Sequence, residues 1–89
     1  MMQTIISPNT QTYRVFRELI VDARHAAHLR QSDLAYKLGK PQSYVSKYER
    51  GERRLDFIEF LNIATALNLD IQQFLVIYSQ KIAQDRLPK

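Results

Sequence analysis

Apolar residues recur along the chain at the three- and four-residue spacing that is typical of amphipathic helices. Five such stretches are separated by short polar segments, and no extended alternation or Asn-Gly pair indicates a β-hairpin. The sequence therefore predicts an all-α fold, a compact five-helix bundle that forms one domain over residues 1–89. The predicted elements are an N-terminal extension at 1–9, a first helix at 10–28, two short helices within 31–50, and helices at 56–67 and 70–86.

The predicted helix ends follow from capping residues and glycines. Asn9 or Thr10 can cap the first helix, which we expect to end near His28. Gly39 is expected to end the second helix, from Gln31 to Leu38, and Gly51 the third, from about Pro41 or Gln42 to Arg50, because glycine adopts the left-handed conformation at little cost. Two acidic caps and one terminator are predicted for the last two helices, namely Asp56, Asp70 and Asn68.

The inward faces of these helices define the predicted core. In the first three helices it comprises Phe16, Leu19, Ile20, Ala23, Ala27, Leu34, Ala35, Leu38, Val45 and Tyr48. In the last two it comprises Phe57, Phe60, Leu61, Ala64, Leu67, Ile71, Phe74, Leu75, Tyr78 and Ile82.

The excess positive charge lies in the middle of the chain. The net charge is +4, with 13 Lys and Arg against 9 Asp and Glu. Residues 24–54 carry eight basic and three acidic side chains, a net charge of +5. A basic segment of this kind favours a polyanionic partner such as nucleic acid, although an ordinary solvated surface would show the same bias.

The same composition argues against several other kinds of function. The chain has no cysteine, which excludes disulfide scaffolds and thiolate metal sites. His25 and His28 lack a third ligand, and Glu18 and Asp22 lack a pocket or a phosphate loop, so we expect no metal, no cofactor and no enzymatic activity. Because no apolar run reaches the ~18–20 residues that cross a bilayer, and no secretory signal opens the chain, no membrane partner and a cytoplasmic location are expected.

The two short helices and the residues around them resemble a known family. The run LRQSDLAYKLG at 29–39, followed by SYVSKYERG at 43–51 and by Phe57, Phe60-Leu61 and Ala66-Leu67-Asn68, is similar to the helix-turn-helix of phage repressors and Cro proteins, the Xre family. The resemblance covers roughly residues 13–75. It implies a lambda-repressor-like DNA-binding domain that regulates transcription, as a repressor or autoregulator that binds an inverted repeat of double-stranded DNA as a homodimer.

The third helix is the expected reader of DNA bases. Its outer face is small and polar at its start, so that it can approach base edges in a major groove about 12 Å wide. By position, the resemblance assigns base reading to Gln42, Ser43 and Lys47. Tyr44 is expected to contact a base or a phosphate, with packing on the helix surface as the open alternative.

Phosphate contacts are expected on both sides of that helix. The resemblance assigns one to Gln31, at the start of the second helix, where the helix dipole also favours an anion. Lys40 in the turn, and Arg53 and Arg54 in the following loop, are placed to bind backbone phosphates, and one of the arginines is a candidate for the minor groove. The alternative for these side chains is simple solvent exposure.

The resemblance also implies a structural ion pair between Arg24 and Glu49. The sequence departs from the family pattern at three positions: His28 stands where glycine is common, Pro41 where a donor or hydroxyl is common, and Leu55 where proline is common.

A dimer patch is predicted on the last helix, at Val76 and Ile77 with Ile71 or Ile63. An equally open alternative is that these residues cover the N-terminal segment around Ile5 and Ile6. Some members of the family act as antitoxins, so a module whose main partner is a cognate toxin or another protein remains the alternative function.

Overall fold

The structure is a computed structural model and describes residues 11–86. Within that range the chain forms helices and turns and no strand, which confirms the predicted all-α fold. The predicted caps Asn9 and Thr10, and the segment around Ile5 and Ile6, lie outside the described residues. The helices are α1 (Gln11–Ala26), α2 (Gln31–Leu38), α3 (Gln42–Glu49), α4 (Phe57–Ala66) and α5 (Ile71–Arg86).

The turns between the helices use left-handed backbone conformations. Gly39, Gly51 and Asn68 have φ angles of 66°, 82° and 53°, which confirms their predicted roles as terminators. His28 also has a positive φ, of 60°, so this turn keeps the backbone shape for which the family commonly uses glycine. Pro41 lies one residue before α3, with an extended backbone, rather than in its first turn.

Both predicted acidic caps are confirmed. The Asp56 carboxylate accepts a hydrogen bond from the Glu59 N–H at 2.7 Å, and the Glu59 carboxylate accepts one from the Asp56 N–H at 3.0 Å. This reciprocal pair is a capping box, which satisfies two amides at the start of α4. The Asp70 carboxylate caps α5 by accepting from the Gln73 N–H at 3.0 Å.

The core lies between α1 and the other helices. Three phenylalanines meet at its centre: Phe16 is 5.3 Å from Phe60 and 6.0 Å from Phe74, measured between ring centroids. A large apolar side chain such as Val, Leu, Ile or Phe contributes about 1.5–3 kcal/mol of transfer free energy when it is fully buried. The buried apolar residues are Val15, Leu19, Ile20, Leu34, Ala35, Val45, Tyr48, Phe60, Ile63, Ala64, Leu67 and Phe74.

Two sequence predictions about the core and one about the dimer patch were wrong. Phe57 and Leu75 were expected inside but are 68% and 52% exposed, because no other element within residues 11–86 covers these two positions. Ile63 is only 1% exposed, so it cannot belong to a dimer patch. It is buried because α4 packs against α2 as well as against the aromatic centre.

No helix within residues 11–86 is by itself both long and apolar enough to span a membrane. Helices α4 and α5 meet that test only when taken together, and they are bent by 119° at their junction.

Candidate nucleic-acid interface

Helix α3 has one face buried against the core and an opposite face that is polar and exposed. Val45 and Tyr48 are 0% and 1% exposed, which fixes the helix on the core. The three predicted base readers, Gln42, Ser43 and Lys47, are all exposed on its outer side. The structure thus presents a short polar face on a buried support.

An ion pair fixes the end of α3 to α1. The Arg24 guanidinium donates to the Glu49 carboxylate at 2.7 and 3.0 Å, and the two side chains are 9% and 6% exposed. Arg24 also donates to the Leu29 carbonyl at 2.8 Å, which ties in the turn before α2. The hydrogen bond with Glu49 raises the pKa of Arg24, and Arg24 stays charged. Because the pair is nearly dry, its loss would leave an unpaired buried charge.

The side-chain amide of Gln31 is hydrogen-bonded to other residues of the protein. Its side-chain amide donates to Glu49 at 2.8 Å, and its carbonyl oxygen accepts from the Gln42 amide at 3.3 Å. The predicted phosphate ligand at the start of α2 is therefore bonded to the predicted base reader at the start of α3.

Arg53 is held between α3 and α4. Its guanidinium donates to the Glu59 carboxylate at 2.7 and 3.1 Å and lies 4.9 Å from the centre of the Tyr44 ring. The Lys40 ammonium lies 5.3 Å from the same ring, so Tyr44 attracts two of the predicted phosphate-binding cations through its π face. The hydrogen bonds from Arg53 lower the pKa of Glu59 to about 2.

Arg54 is supported from α1. Its guanidinium carbon lies 3.9 Å from the centre of the Tyr13 ring, and the Tyr13 hydroxyl accepts from the Leu55 N–H at 3.1 Å. A proline at position 55, common in the family, has no such N–H to donate. The departure at Leu55 therefore adds a link between α1 and this loop.

Sequence reasoning missed two residues that position the cations, Glu59 and Tyr13. The sequence does contain a signal for Glu59, because an acidic residue three positions after a helix cap indicates a capping box. The sequence contains no such signal for Tyr13, because its hydrogen bond with Leu55 joins residues that are 42 positions apart.

The predicted dimer patch is partly exposed. Val76 is 49% and Ile77 is 36% exposed, whereas Ile71 is half-buried and packs against the core. Phe57, Ile58 and Leu75 add further exposed apolar surface on α4 and α5 that the sequence did not predict. Within residues 11–86, no cluster of three or more His, Asp or Glu side chains could hold a metal ion.

Comparison with known proteins places this geometry among helix-turn-helix domains. Residues 20–74 match the family described as Helix-turn-helix. None of the curated proteins matches the chain.

Several solved structures share the fold. An XRE-family like protein from Pseudomonas syringae pv. tomato str. DC3000 is 40% identical, with a TM-score of 0.73 over 79% of this chain and 85% of that one. The wild-type restriction-modification controller protein C.Esp1396I is 24% identical, with a TM-score of 0.77 over 84% of this chain and 99% of that one. The clp gene regulator ClgR from C. glutamicum is 16% identical, with a TM-score of 0.68 over 84% of this chain and 96% of that one.

Proposed function

Because the chain belongs to the Xre family of helix-turn-helix, DNA-binding transcription regulators, we propose that it represses transcription as a homodimer bound to an inverted-repeat operator. The observation that carries this proposal is the arrangement of α3: its start is polar and exposed, its end is held by a buried ion pair, and cations flank it. The protein acts on DNA in the cytoplasm and uses no cofactor, metal or catalytic step.

In this proposal, three residues of α3 read bases. Gln42 offers both a donor and an acceptor, which suits the edge of adenine, and Ser43 is short enough to bond either kind of base. Lys47 lies further along the same exposed side, where it reaches a guanine edge or a phosphate. These contacts give sequence preference.

Lys40, Arg53 and Arg54 bind phosphates beside the groove. All three are exposed, and each lies against a tyrosine ring that fixes its direction. Arg53 has to share its charge between Glu59 and a phosphate, which reduces its own contribution to the salt-dependent affinity. Tyr44 supports Lys40 and Arg53 and is the remaining candidate for a base or phosphate contact.

The dimer joins two copies through the exposed apolar residues Val76 and Ile77 of α5. One domain of this size reads few base pairs, so useful specificity requires a second copy. In a two-fold dimer the α3 helices lie about 34 Å apart, one turn of DNA.

Selection of duplexes from a random pool tests the proposal directly. We expect the full chain to enrich an inverted repeat, and binding with no sequence preference at any salt concentration would contradict it. Titrations of Lys47→Ala and Gln42→Ala should then show preference relaxed by about 1–3 kcal/mol at one base pair each.

The phosphate-binding residues should behave differently in the same titrations. Arg53→Ala/Arg54→Ala should weaken binding to operator and scrambled duplexes alike and reduce the slope of affinity against salt concentration. Lys81→Ala removes one positive charge outside the basic segment, from an exposed position on α5, and is the charge control. If the base-reading variants and the phosphate-binding variants changed the affinity for operator and scrambled duplexes equally, this division of roles would be refuted.

A second candidate function is supported by the exposed apolar side chains of α4 and α5. Phe57 and Ile58 are 68% and 62% exposed at the start of α4. Adjacent exposed apolar side chains of this size favour a surface that binds another protein. A protein partner such as a cognate toxin would cover them. Light scattering distinguishes the two cases, because a strict monomer at high micromolar concentration favours the partner over the homodimer.

A further inference from the structure

An apolar groove lies between the start of α4 and the first half of α5. Its volume is about 230 Å³, and its floor is formed by the buried rings of Phe60 and Phe74. Its edges are formed by Phe57 and Leu75, which are both more than half exposed. Among the described residues that line it, Asp56 alone is charged, and its carboxylate already serves as the cap of α4. The groove therefore favours an apolar occupant without charge.

The groove lies beside the start of α1. The Tyr78 hydroxyl donates to the Thr12 carbonyl at 3.1 Å, and Tyr78 itself lines the groove. Phe16, one turn further along α1, also lines it and lies 6.5 Å from Tyr78 between ring centroids. The described part of the chain begins at Gln11, so the residues that precede it join the structure next to this groove.

The preceding segment, residues 1–10, has the composition that this groove favours. It carries no charged side chain, and four of its ten residues are large and apolar, namely Met1, Met2, Ile5 and Ile6. Ile6 comes six positions before Thr12 in the sequence. An extended chain spans at most about 3.3–3.6 Å per residue, so Ile6 can lie up to roughly 20 Å from Thr12. This reach includes the groove, because Tyr78 contacts Thr12 directly.

A second copy of the chain fits this groove less well than a short segment does. A stable interface between two proteins buries about 1,200–2,000 Å², whereas a groove of this volume holds only a few side chains. The proposed dimer patch also lies on a different flank of α5, because Ile77 borders Leu19 and Ala23 of α1. Leu75 borders Phe57 of α4 instead, since positions 75 and 77 point about 200° apart around a helix. The two flanks can therefore have different partners.

We propose that residues 1–10 bind the groove of their own chain, with Ile5 and Ile6 packed between Phe57 and Leu75. Because the segment is joined to α1 next to the groove, it acts at a high effective concentration, and the contact needs no second molecule. The proposal goes beyond DNA binding and does not depend on it. It also assigns Phe57 to the chain itself rather than to a protein partner.

Pairs of introduced cysteines test the contact, because the chain has no cysteine of its own. Four double variants of the full chain combine Ile5→Cys or Ile6→Cys with Phe57→Cys or Leu75→Cys. A disulfide forms when the two Cα atoms come within about 4.4–6.8 Å of each other. We expect oxidised glutathione to produce a bridge within one chain in at least one pair, which runs as a monomer on a non-reducing gel and gives a linked peptide by mass spectrometry.

The variant Ile6→Cys/Ile77→Cys is the matched control, because Ile77 is also exposed on α5 but lies on the other flank. It should give no bridge within one chain. Bridges in none of the four test pairs would overturn the proposal. So would bridges that join only two different chains, because the segment would then cover another copy, and so would an equal yield in the control.

Thermal unfolding provides an independent test. Ile5→Ser/Ile6→Ser should lower the melting temperature by about 4–8 °C, because apolar side chains lose their buried contact. Gln3→Ser/Thr4→Ser changes two polar residues of the same segment and should melt with wild type. An unchanged melting temperature in Ile5→Ser/Ile6→Ser would contradict the proposal.

The double-mutant comparison assigns that loss to the groove. Adding Phe57→Ser to Ile5→Ser/Ile6→Ser should lower the melting temperature less than Phe57→Ser does alone, because the contact is already gone. Ile58→Ser is the control, since Ile58 is 62% exposed beside Phe57. Its effect should be the same in both backgrounds. Fully additive effects of Phe57→Ser would overturn the proposal, because they would place the segment elsewhere.

Discussion

The surface formed by α2, α3 and the loop after α3 differs from the surface formed by α4 and α5 in how far its side chains already have partners within the protein. On the first, the polar side chains Gln31, Arg53 and Arg54 are already bonded to or stacked on neighbouring residues. On the second, Leu75 and Val76 are about half exposed and project from the helix that bears them. The first surface is ordered in advance, whereas the second gains free energy only when something covers it.

This difference has a thermodynamic meaning for binding. Ordering a long polar side chain on association costs about 0.5–1.5 kcal/mol, so fixing Arg53 and Arg54 beforehand reduces that cost. Burying apolar area gains roughly 25 cal/mol per Å², so the second surface favours association without specifying a sequence. In the proposed function, specificity therefore belongs to α2 and α3, and assembly belongs to α5.

The largest expected effect is the loss of the ion pair that supports the ordered surface. Arg24→Ala should lower the free energy of unfolding by about 3–5 kcal/mol, because Glu49 would remain buried and unpaired. Urea unfolding followed by circular dichroism measures it. Arg14→Ala is the matched control: its pair with Glu18 is exposed and 3.9 Å long, so its loss should cost less than about 1 kcal/mol. Equal losses in the two variants would contradict the assignment.

How far the sequence predicted this structure depends on the range of each contact. The caps at Asp56 and Asp70 and the terminators at Gly39 and Gly51 are local, and the structure confirms them. The periodic spacing of apolar residues, in contrast, predicts which side of a helix is apolar but not whether another helix packs against that side. This is why Phe57 was wrongly placed inside.

The candidate site shows the same limit. The exposure of Gln42 and Lys47 followed from the buried pattern of α3. The bond between Gln31 and Gln42, and the stacking of Arg54 on Tyr13, join separate elements, and residue spacing carries no information about them. Resemblance to a family supplied the pairing of Arg24 with Glu49, which composition and periodicity alone did not.

The next effect concerns assembly through the apolar surface. Val76→Gln/Ile77→Gln introduces a residue of higher helix propensity while it removes two exposed apolar side chains. We expect the variant to be monomeric by light scattering and its affinity for the full inverted repeat to fall by about a hundredfold, because the two half-sites are no longer linked. Its affinity for a single half-site should be unchanged. An unaltered dimer would show that another surface joins the copies.

A smaller effect with a distinct pH dependence is expected at Glu59. Its pKa in the folded protein is about 2, below the ordinary value of 4.5, so the charged form stabilises the fold. That contribution is present above about pH 4.5 and is lost as the pH falls towards 2. Glu59→Gln should therefore be less stable than wild type at pH 7, with a difference that shrinks towards pH 2.

Urea unfolding of both proteins at pH 7, 4 and 2.5 measures this change. Because the pair with Arg53 lies at the surface, the loss should stay well below that of Arg24→Ala. Glu18→Gln, in the long exposed pair with Arg14, provides the control and should follow wild type closely. A difference for Glu59→Gln that is constant across this range would exclude the charge as its source.

The smallest effect is expected beneath α3, where the ordered surface meets the core. Tyr48 is 1% exposed, and its buried hydroxyl has no hydrogen-bond partner among the described residues. Tyr48→Phe removes that hydroxyl without changing the ring, so stability should stay the same or rise by up to about 1 kcal/mol. Tyr78→Phe is the opposite case, since its hydroxyl donates to the Thr12 carbonyl at 3.1 Å and its loss should cost about 1 kcal/mol. A marked loss in Tyr48→Phe would mean that the hydroxyl helps to support α3, and the order of the proposed DNA-binding surface would then depend on more than the ion pair.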